Sequence, residues 1–280
     1  MFSRIVCAAT LLAAAPMARI PAAEAAPQRI VSLNLCVDQL LLQLVPPERI
    51  ASITWLSRSE GDPALLPLAR RVPVNHGSAE EVLAAHPDLV IAGRFTTGTT
   101  RRLLQKAGVP VLEIEPAVDW DGIRRTTREI AAAVQAGPRG EQLIAAMDTE
   151  LAQLHARATR PPVRAIGWGG SADDVPGRDT LFNTILETAG ATNLGARATG
   201  PASFDIEQVL RARPQVLLRG ATYASAPAMR NRIAQHPALR QQHYRVVAYP
   251  EAVYGCAVPR AATLTVELAD ELDRLREAAP

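Results

Sequence analysis

The chain repeats one segment of its own sequence at a fixed spacing. Residues 78–93, SAEEVLAAHPDLVIAG, recur as residues 205–220, DIEQVLRARPQVLLRG, so that Glu80 and Glu207 lie 127 positions apart. Each copy is typical of a short helix that ends at a proline, followed by an apolar strand and a glycine. The chain is therefore expected to consist of two similar halves.

Apolar runs typical of buried strands alternate with helical patterns around each copy. The predicted strands are residues 29–33, 49–54, 88–92 and 109–114 in the first half, and 163–168, 215–219 and 245–249 in the second. Strands that alternate with helices form a parallel sheet with helices on both faces. The sequence thus predicts an α/β fold of two doubly wound, Rossmann-like lobes, residues 26–120 and 161–280.

The stretch between the lobes, residues 121–160, has a helical periodicity that only Gly137-Pro138 interrupts. We expect a single long connecting helix here. Because such a helix is stiff, it predicts a hinge of small amplitude between the lobes.

The first 25 residues have the pattern of a secretory signal peptide. Arg4 precedes an apolar run over 5–16, and Ala23-Glu24-Ala25 forms an A-x-A cleavage site. The run is shorter than the about 20 residues that span a bilayer. Cys7 lies near the start of the run rather than after it, which does not favour a lipid anchor. We expect cleavage after Ala25 and a soluble periplasmic protein.

Charge and motifs argue against several function classes. Lysine and arginine number 30 and aspartate and glutamate 28, so there is no basic surface for nucleic acid or anionic lipid. The glycine-rich run from Gly167 lacks the spacings of dinucleotide-binding, P-loop and hydrolase motifs. The five histidines are scattered, which ranks a bare-ion site low. We expect no catalytic residues, no resident cofactor and no metal site in the protein itself.

Several segments together resemble a known family. They are Arg29-Ile-Val-Ser-Leu33, the two E-x-V-L-x-A-x-P units and Leu186-Glu-Thr-Ala-Gly-Ala-Thr-Asn-Leu194. With the connecting helix, they are similar to the periplasmic solute-binding proteins of the iron-siderophore, haem and vitamin B12 class, which serve ABC importers. The resemblance implies a class III fold, a monomer, a small-molecule metal chelate as ligand, and a permease of the inner membrane as partner.

The resemblance also assigns a role to one glutamate in each lobe. In that family a surface glutamate of each lobe pairs with arginines of the permease, and the motif places these at Glu80 and Glu207. The alternative is that each acid only complements the dipole at a helix N-terminus, which contributes about 0.3–1 kcal/mol.

Ligands of open α/β sheets bind beyond the carboxyl ends of the strands. The candidate ligand-binding residues in those loops are Cys36, Trp55, Asn75, His76, Arg94, Trp168, Tyr254 and Cys256, with Asn34 beside Cys36. The resemblance gives Trp55, Trp168 and Tyr254 as aromatic contacts. Arg94 could hold a carboxylate or phosphate, and His76 could act as a metal ligand or hydrogen-bond donor. For each residue the alternative is an ordinary loop or core position.

Two positions depart from the vitamin B12-binding pattern, because Asn75 and Pro201 stand where the family has tryptophan. A more polar pocket would suit an anionic ferric chelate about as well as a corrinoid. The expected function is thus delivery of a corrinoid or ferric siderophore to an ABC importer. Haem, a bare metal ion and a secreted enzyme are the alternatives.

Two cysteines, Cys36 and Cys256, remain after removal of the signal peptide and fall in loops expected to face each other across the cleft. They could form a disulfide between the lobes, ligate the metal of the cargo as a free thiolate, or be unrelated. The sequence leaves these three options open.

Overall fold

The structure is a computed structural model that describes residues 25–94, 96, 98–157, 160–168, 174–197, 201–203, 206–220, 237, 244–249 and 254–278. The strands are β1 (Ile30–Ser32), β2 (Ile50–Thr54), β3 (Val74–Asn75), β4 (Leu89–Gly93), β5 (Val111–Ile114), β6 (Val163–Trp168), β7 (Asp174–Pro176), β8 (Ala191–Asn193), β9 (Pro201–Ser203), β10 (Val216–Gly220) and β11 (Arg245–Tyr249). The helices are α1 (Leu35–Leu44), α2 (Leu56–Ser59), α3 (Leu66–Ala69), α4 (Ala79–Ala84), α5 (Gly98–Lys106), α6 (Trp120–Ala133), α7 (Gly137–His155), α8 (Leu181–Thr188), α9 (Ile206–Ala212) and α10 (Ala261–Glu277). None of the helices in these ranges is both long and apolar enough to span a membrane. The proposed signal sequence, residues 1–25, lies outside the described residues except for Ala25.

The first lobe is built on a parallel sheet with the strand order β3-β2-β1-β4-β5. Every residue of β1 and β4 is buried, because helices cover both faces of a sheet of this kind. The chain leaves β1 toward β2 on one side and returns to β4 on the other. The carboxyl ends of β1 and β4 are therefore the topological switch point, where ligands of such sheets bind.

The second lobe has a parallel sheet of order β11-β10-β6-β8 and a two-stranded antiparallel sheet of β7 and β9. Each strand predicted from the sequence is confirmed in one of the two lobes. The strands that the sequence did not reveal, such as β3 and β8, have three residues or fewer, too few for a periodic pattern. The fold class of two α/β lobes is confirmed.

The two copies of the repeat adopt the same local structure over residues 79–93 and 206–220. His86 and Arg213, which follow α4 and α9, both have left-handed backbone conformations, with φ of 46° and 47°. In the first lobe Arg29 donates to the carbonyl of His86, and in the second Arg164 donates to the carbonyl of Arg213. The side chain one residue beyond the proline, Asp88 in the first copy, accepts the N–H of the same arginine. Gln215 does so in the second copy.

The prediction of a single connecting helix is wrong, because the connection consists of two helices, α6 and α7. The helices lie antiparallel, with Arg124 bonded to Asp148 at 2.5 Å and Arg128 to Glu141 at 2.8 Å. The chain turns at Gln135, whose φ is 52°, and a proline in the first turn of α7 starts the second helix. The Gly137-Pro138 interruption is thus a helix boundary.

Each lobe has its own apolar core, and the connecting hairpin contributes to both. Ile123 at the start of α6 packs in the second lobe, whereas Ile130 further along packs in the first. The first core also contains Cys256 and Val258, which come from the segment before α10. The chain therefore passes between the lobes again near its carboxyl end.

Candidate functional site

The carboxyl edge of the first sheet carries a row of polar and aromatic residues. One follows each strand, and in the spatial order of the sheet they are His76, Trp55, Asn34, Arg94 and Glu115. Neighbouring strands lie about 4.8 Å apart, so the ends of β3 and β4 are separated by about 14 Å. The row is long enough to contact a large flat ligand at several points.

A pocket opens at the switch point in this edge. Its lining is mostly apolar and comes from both the first lobe and the crossing segments: Asn34, Cys36, Val37, Leu40, Gly93, Arg94, Ile114, Glu115, Pro116, Ala117, Thr126, Ile130, Gly255, Ala257 and Val258. An apolar pocket with a few polar groups at its rim is the usual form of a small-molecule site.

Asn34 and Gly93 shape this pocket where β1 and β4 end. The Asn34 side chain caps α1, accepting from the backbone N–H groups of Cys36 at 2.9 Å and Val37 at 3.1 Å. A Cβ at position 93 would lie 2.5 Å from Asn34 Nδ2, so only glycine leaves room for this cap. In the first lobe, the glycine that ends the repeat is therefore required to make room for the Asn34 side chain.

Arg94 lies at the rim of the pocket, as the sequence predicted, but it already has an acidic partner. Its Nη1 lies 3.0 Å from Glu115 Oε2, and about two thirds of each side chain is exposed. Glu115 was not singled out from the sequence, although its place directly after β5 is the signal that could have identified it. An anionic group of a ligand can replace Glu115 as the partner of this exposed guanidinium.

Trp55 and His76 form a second part of the edge. Trp55 is 44% exposed, and its ring lies 6.2 Å from the imidazole of His76 with 24° between the planes. Glu81 holds His76 twice: Oε2 accepts the His76 N–H at 2.8 Å, and Oε1 lies 3.0 Å from Nδ1. The backbone N–H of His76 is the largest factor that lowers the pKa of Glu81, so Glu81 is an ionised acceptor.

An ionised carboxylate can only accept, so it fixes the proton of a neutral His76 on Nδ1. Nε2 then carries the lone pair, and 65% of the side chain is exposed. Among the described residues no hydrogen bond uses Nε2. The structure therefore leaves one oriented imidazole nitrogen exposed at this edge of the sheet.

Asn75 does not present its amide to the cleft, contrary to the expectation. The side chain is 2% exposed, and Nδ2 donates to the carbonyls of Ser32 and Ile53 and to Ser52 Oγ, at 2.9–3.1 Å. Its Oδ1 accepts the N–H of Gly77. Asn75 is a buried connection between three strand ends.

Tyr254 also departs from its predicted role. It is 6% exposed and packs with Tyr249 and Phe182, with ring centroids 4.9 Å and 5.9 Å away. Its hydroxyl lies 3.4 Å from the carbonyl of Leu264, and burial raises its pKa above the ordinary value. Its ring stabilises the core of the second lobe.

Cys36 and Cys256 form a disulfide, which decides between the three options. The Cα atoms are 5.0 Å apart, across 220 positions of sequence. The pairing leaves no thiolate for a metal, so direct ligation by either cysteine is excluded in the oxidised protein. Cys36 still lines the pocket, whereas Cys256 is 2% exposed.

The remaining predicted residues divide into described and undescribed ones. Glu80 and Glu207 both occupy the second position of their helices, α4 and α9, and both are exposed. Trp168 ends β6, but its side chain lies outside the described part, as does that of Pro201.

A buried carboxylate, Asp38, escaped the sequence analysis. It lies in α1, is fully buried, and accepts from Thr54 and Ser57 on either side of Trp55. Burial raises its pKa to about 6, which the hydroxyls of Ser32, Thr54 and Ser57 partly offset. An aspartate inside an apolar helical run is the only signal that could have identified it.

Comparison with known proteins agrees with this geometry. A family model described as periplasmic binding protein matches residues 30–243. An uncharacterised ABC transporter substrate-binding lipoprotein of Bacillus subtilis is 22% identical over 255 residues, 88% of this chain and 80% of its own length. A cobalamin-binding protein of Halobacterium salinarum is 26% identical over 216 residues, 71% of this chain but only 55% of the relative.

Among solved structures, the apo form of a periplasmic haem-binding protein from Roseiflexus sp. RS-1 superposes with a TM-score of 0.75 at 24% identity. The alignment covers 89% of this chain and 98% of that one, so the fold is shared over both lobes. The chain therefore belongs to the periplasmic binding protein family, and with it to the substrate-binding components of ABC importers.

Proposed function

We propose that the chain captures a planar metal chelate, haem or a corrinoid, and delivers it to an ABC permease without chemical change. The observation that carries the proposal is the pair of Glu81 and His76 beside Trp55. A histidine that binds a metal usually donates its other ring N–H to a carboxylate, which orients the ring and raises the basicity of the ligating nitrogen. His76 and Glu81 have this arrangement.

The coordination of the cargo follows from this single imidazole. Among the described residues there is no group of three or more histidine, cysteine, aspartate or glutamate side chains that could hold a bare ion. One nitrogen suits a metal that already has equatorial ligands and an exchangeable axial position. Haem and an aquo-corrinoid have such a position, whereas a ferric ion enclosed by a hexadentate siderophore has none.

The rest of the edge fits the periphery of such a ligand. The pocket between β1 and β4 is mostly apolar, as a macrocycle requires. Arg94 lies about 14 Å along the edge from the end of β3 and can exchange Glu115 for a propionate or phosphate of the cargo. The Roseiflexus neighbour binds haem and the Halobacterium relative binds cobalamin by their descriptions, which supports this class of cargo.

We also propose that the loaded protein, as a monomer, docks on the permease through Glu80 and Glu207. The support is their symmetry: each is the second residue of its helix, and each is exposed. The disulfide supports an oxidising compartment outside the cytoplasmic membrane, and residues 1–25 are the proposed cleaved signal.

The test is titration of the mature protein with haemin, aquocobalamin and a hexadentate ferric siderophore, followed by visible absorbance. We expect the chelates with an open axial position to bind and to change their spectra. His76→Ala should abolish the spectral change, and Glu81→Gln should weaken binding about 10- to 100-fold through the lost orientation of the ring. His155→Ala is the matched control, because His155 is exposed at the end of α7.

Wild-type spectra with His76→Ala would exclude axial ligation. Retention of the siderophore alone would replace the proposed cargo by an anionic ferric chelate held at Arg94. Turnover of an added compound without a retained ligand would contradict the receptor role.

A further inference from the structure

A buried carboxylate lies beneath the turn that carries Trp55. Asp38 is 0% exposed, and its Oδ2 accepts three hydrogen bonds: from the backbone N–H of Thr54 at 3.0 Å, from Thr54 Oγ1 at 2.5 Å and from Ser57 Oγ at 2.7 Å. These donors belong to the end of β2 and the first turn of α2. Trp55 is the residue where β2 passes into α2, so the carboxylate holds both sides of the turn.

The opposite side of the same turn is held by the edge strand. The N–H of Trp55 donates to the carbonyl of Asn75 at 3.0 Å, directly before His76. Asp38 from below and Asn75 from the side thus fix the backbone of Trp55, while its ring extends to the surface beside the imidazole. A turn held on both sides fixes the backbone from which the indole extends.

Asp38 is an unfavourable residue for stability alone. Its Oδ1 is buried without a hydrogen-bond partner among the described residues, since the Ser32 hydroxyl that helps to lower its pKa donates to the carbonyl of Asn34. No charged side chain contributes to the shift of its pKa. Burial of an ionised carboxylate without a cationic partner disfavours folding, and the pKa of the group rises as a result. A neutral asparagine would keep an acceptor for the donors of Thr54 and Ser57 without burying a charge, so stability alone does not require the carboxylate.

We infer that Asp38 is a positioning residue for the ligand site, which sets the place of the Trp55 indole against His76. The inference rests on the proposed function, in which the Trp55–His76 pair meets the chelate. The carboxylate acts through Thr54 and Ser57 and touches no ligand itself. Charged hydrogen bonds are about twice as strong as neutral ones, so an amide at this place holds the turn less firmly.

The test uses the mature, oxidised protein labelled with 5-fluorotryptophan. Fluorine NMR gives one signal for each of its three tryptophans, and Trp55→Phe assigns the signal of Trp55. Asp38→Asn should shift or broaden this signal alone and weaken haemin binding about tenfold. Ser57→Ala removes one of the three hydrogen bonds and should give a smaller change in the same direction.

Thr127→Val is the matched control, since Thr127 is a fully buried polar residue of α6 whose hydroxyl has no partner among the described residues. It should leave both the Trp55 signal and the affinity unchanged. A merely structural role of Asp38 would lower the midpoint of thermal unfolding in proportion to the loss of affinity. The positioning role predicts weaker binding with an unfolding midpoint at pH 8 that does not fall.

Two outcomes overturn the inference: an unchanged Trp55 signal in Asp38→Asn, or unchanged haemin affinity in Asp38→Asn when Trp55→Ala weakens it. Failure of the proposed function looks different. In that case Trp55→Ala and His76→Ala both bind haemin like the wild type, whatever the fluorine signal of Asp38→Asn.

Discussion

Arg260 forms an ion pair with the buried carboxylate of Asp62, which precedes it by 198 positions. In the sequence, Arg260 follows Cys256 by four positions, and Cys256 is joined to Cys36 by the disulfide. One covalent and one ionic link thus fasten the segment before α10 to the first lobe. Because Gly255, Ala257 and Val258 line the pocket, both links also fix one wall of the candidate ligand site.

Replacement of both cysteines should destabilise the protein without unfolding it. In the chain-entropy model, a link across 220 positions contributes about 5 kcal/mol, and losses measured on removal of native disulfides are about 2–5 kcal/mol. The Cys36→Ser and Cys256→Ser double variant should lose free energy of unfolding in this range in urea. The loss should be the same as that of the wild type in reductant.

The double variant is its own control, because reductant should no longer change its unfolding midpoint. Equal stability of the oxidised and reduced wild type would show that the disulfide adds nothing to the fold.

The titration of Asp38 should appear in the pH dependence of stability. Its pKa is about 6 in the folded protein against 3.8 for an unperturbed aspartate, so the folded state binds more protons between these values. Its favourable contribution is complete below pH 3.8 and is lost as the pH rises through 6. Relative to Asp38→Asn, the wild type should lose about 2 kcal/mol of unfolding free energy between pH 4 and pH 7.

Urea unfolding of both proteins at each pH measures this difference, and all other groups cancel in the comparison. A difference that stays constant from pH 4 to pH 7 would mean that Asp38 titrates normally in the folded protein.

Charge reversal at Glu80 and Glu207 should separate capture from delivery. The double variant with lysine at both positions should bind the chelate like the wild type, because neither residue lines the pocket. Uptake by cells that express the cognate permease should be lost. Loss of each helix N-terminal acid should lower the unfolding free energy by only about 0.3–1 kcal/mol.

The control for this double variant is reversal of two exposed glutamates elsewhere, Glu48 and Glu129. The control should retain uptake. Normal uptake by the Glu80 and Glu207 variant would contradict the docking role.

Tyr254→Phe should change neither ligand affinity nor stability by much. The hydroxyl makes one long hydrogen bond, at 3.4 Å, so its loss should lower the unfolding free energy by about 1 kcal/mol or less. Tyr254→Ala should remove about 3–5 kcal/mol, because it leaves a cavity beside Phe182 and Tyr249. Weakened haemin binding by a stable Tyr254→Phe would restore the tyrosine as a ligand contact.

The fold was predictable because its elements follow local rules. The strands 88–92 and 215–219 are apolar runs between prolines and glycines, and their repetition implied two lobes. The break between α6 and α7 was visible as Gly137-Pro138, but periodicity on both sides favoured one helix. A helical pattern does not show whether two segments lie end to end or fold back, since that depends on contacts such as Arg124 with Asp148.

The location of the site could be predicted from the sequence, but the role of each residue in it could not. The rule for strand ends located Trp55, His76 and Arg94 correctly on the edge of the sheet. It could not distinguish them from Asn75, whose amide turns inward to bond Ser32 and Ile53. Asp38 and Glu81 were missed because both act on the site from helices, through hydrogen bonds that no spacing in the sequence records.

The first lobe takes part of its core from the far end of the chain, where Cys256 and Val258 pack among residues of α1 and α6. During synthesis, residues 30–114 emerge long before position 256. Until then the lobe has a gap in its interior and an unpaired thiol at Cys36. The first lobe therefore completes its core only when nearly the whole chain is present, so residues 30–114 by themselves lack part of their interior.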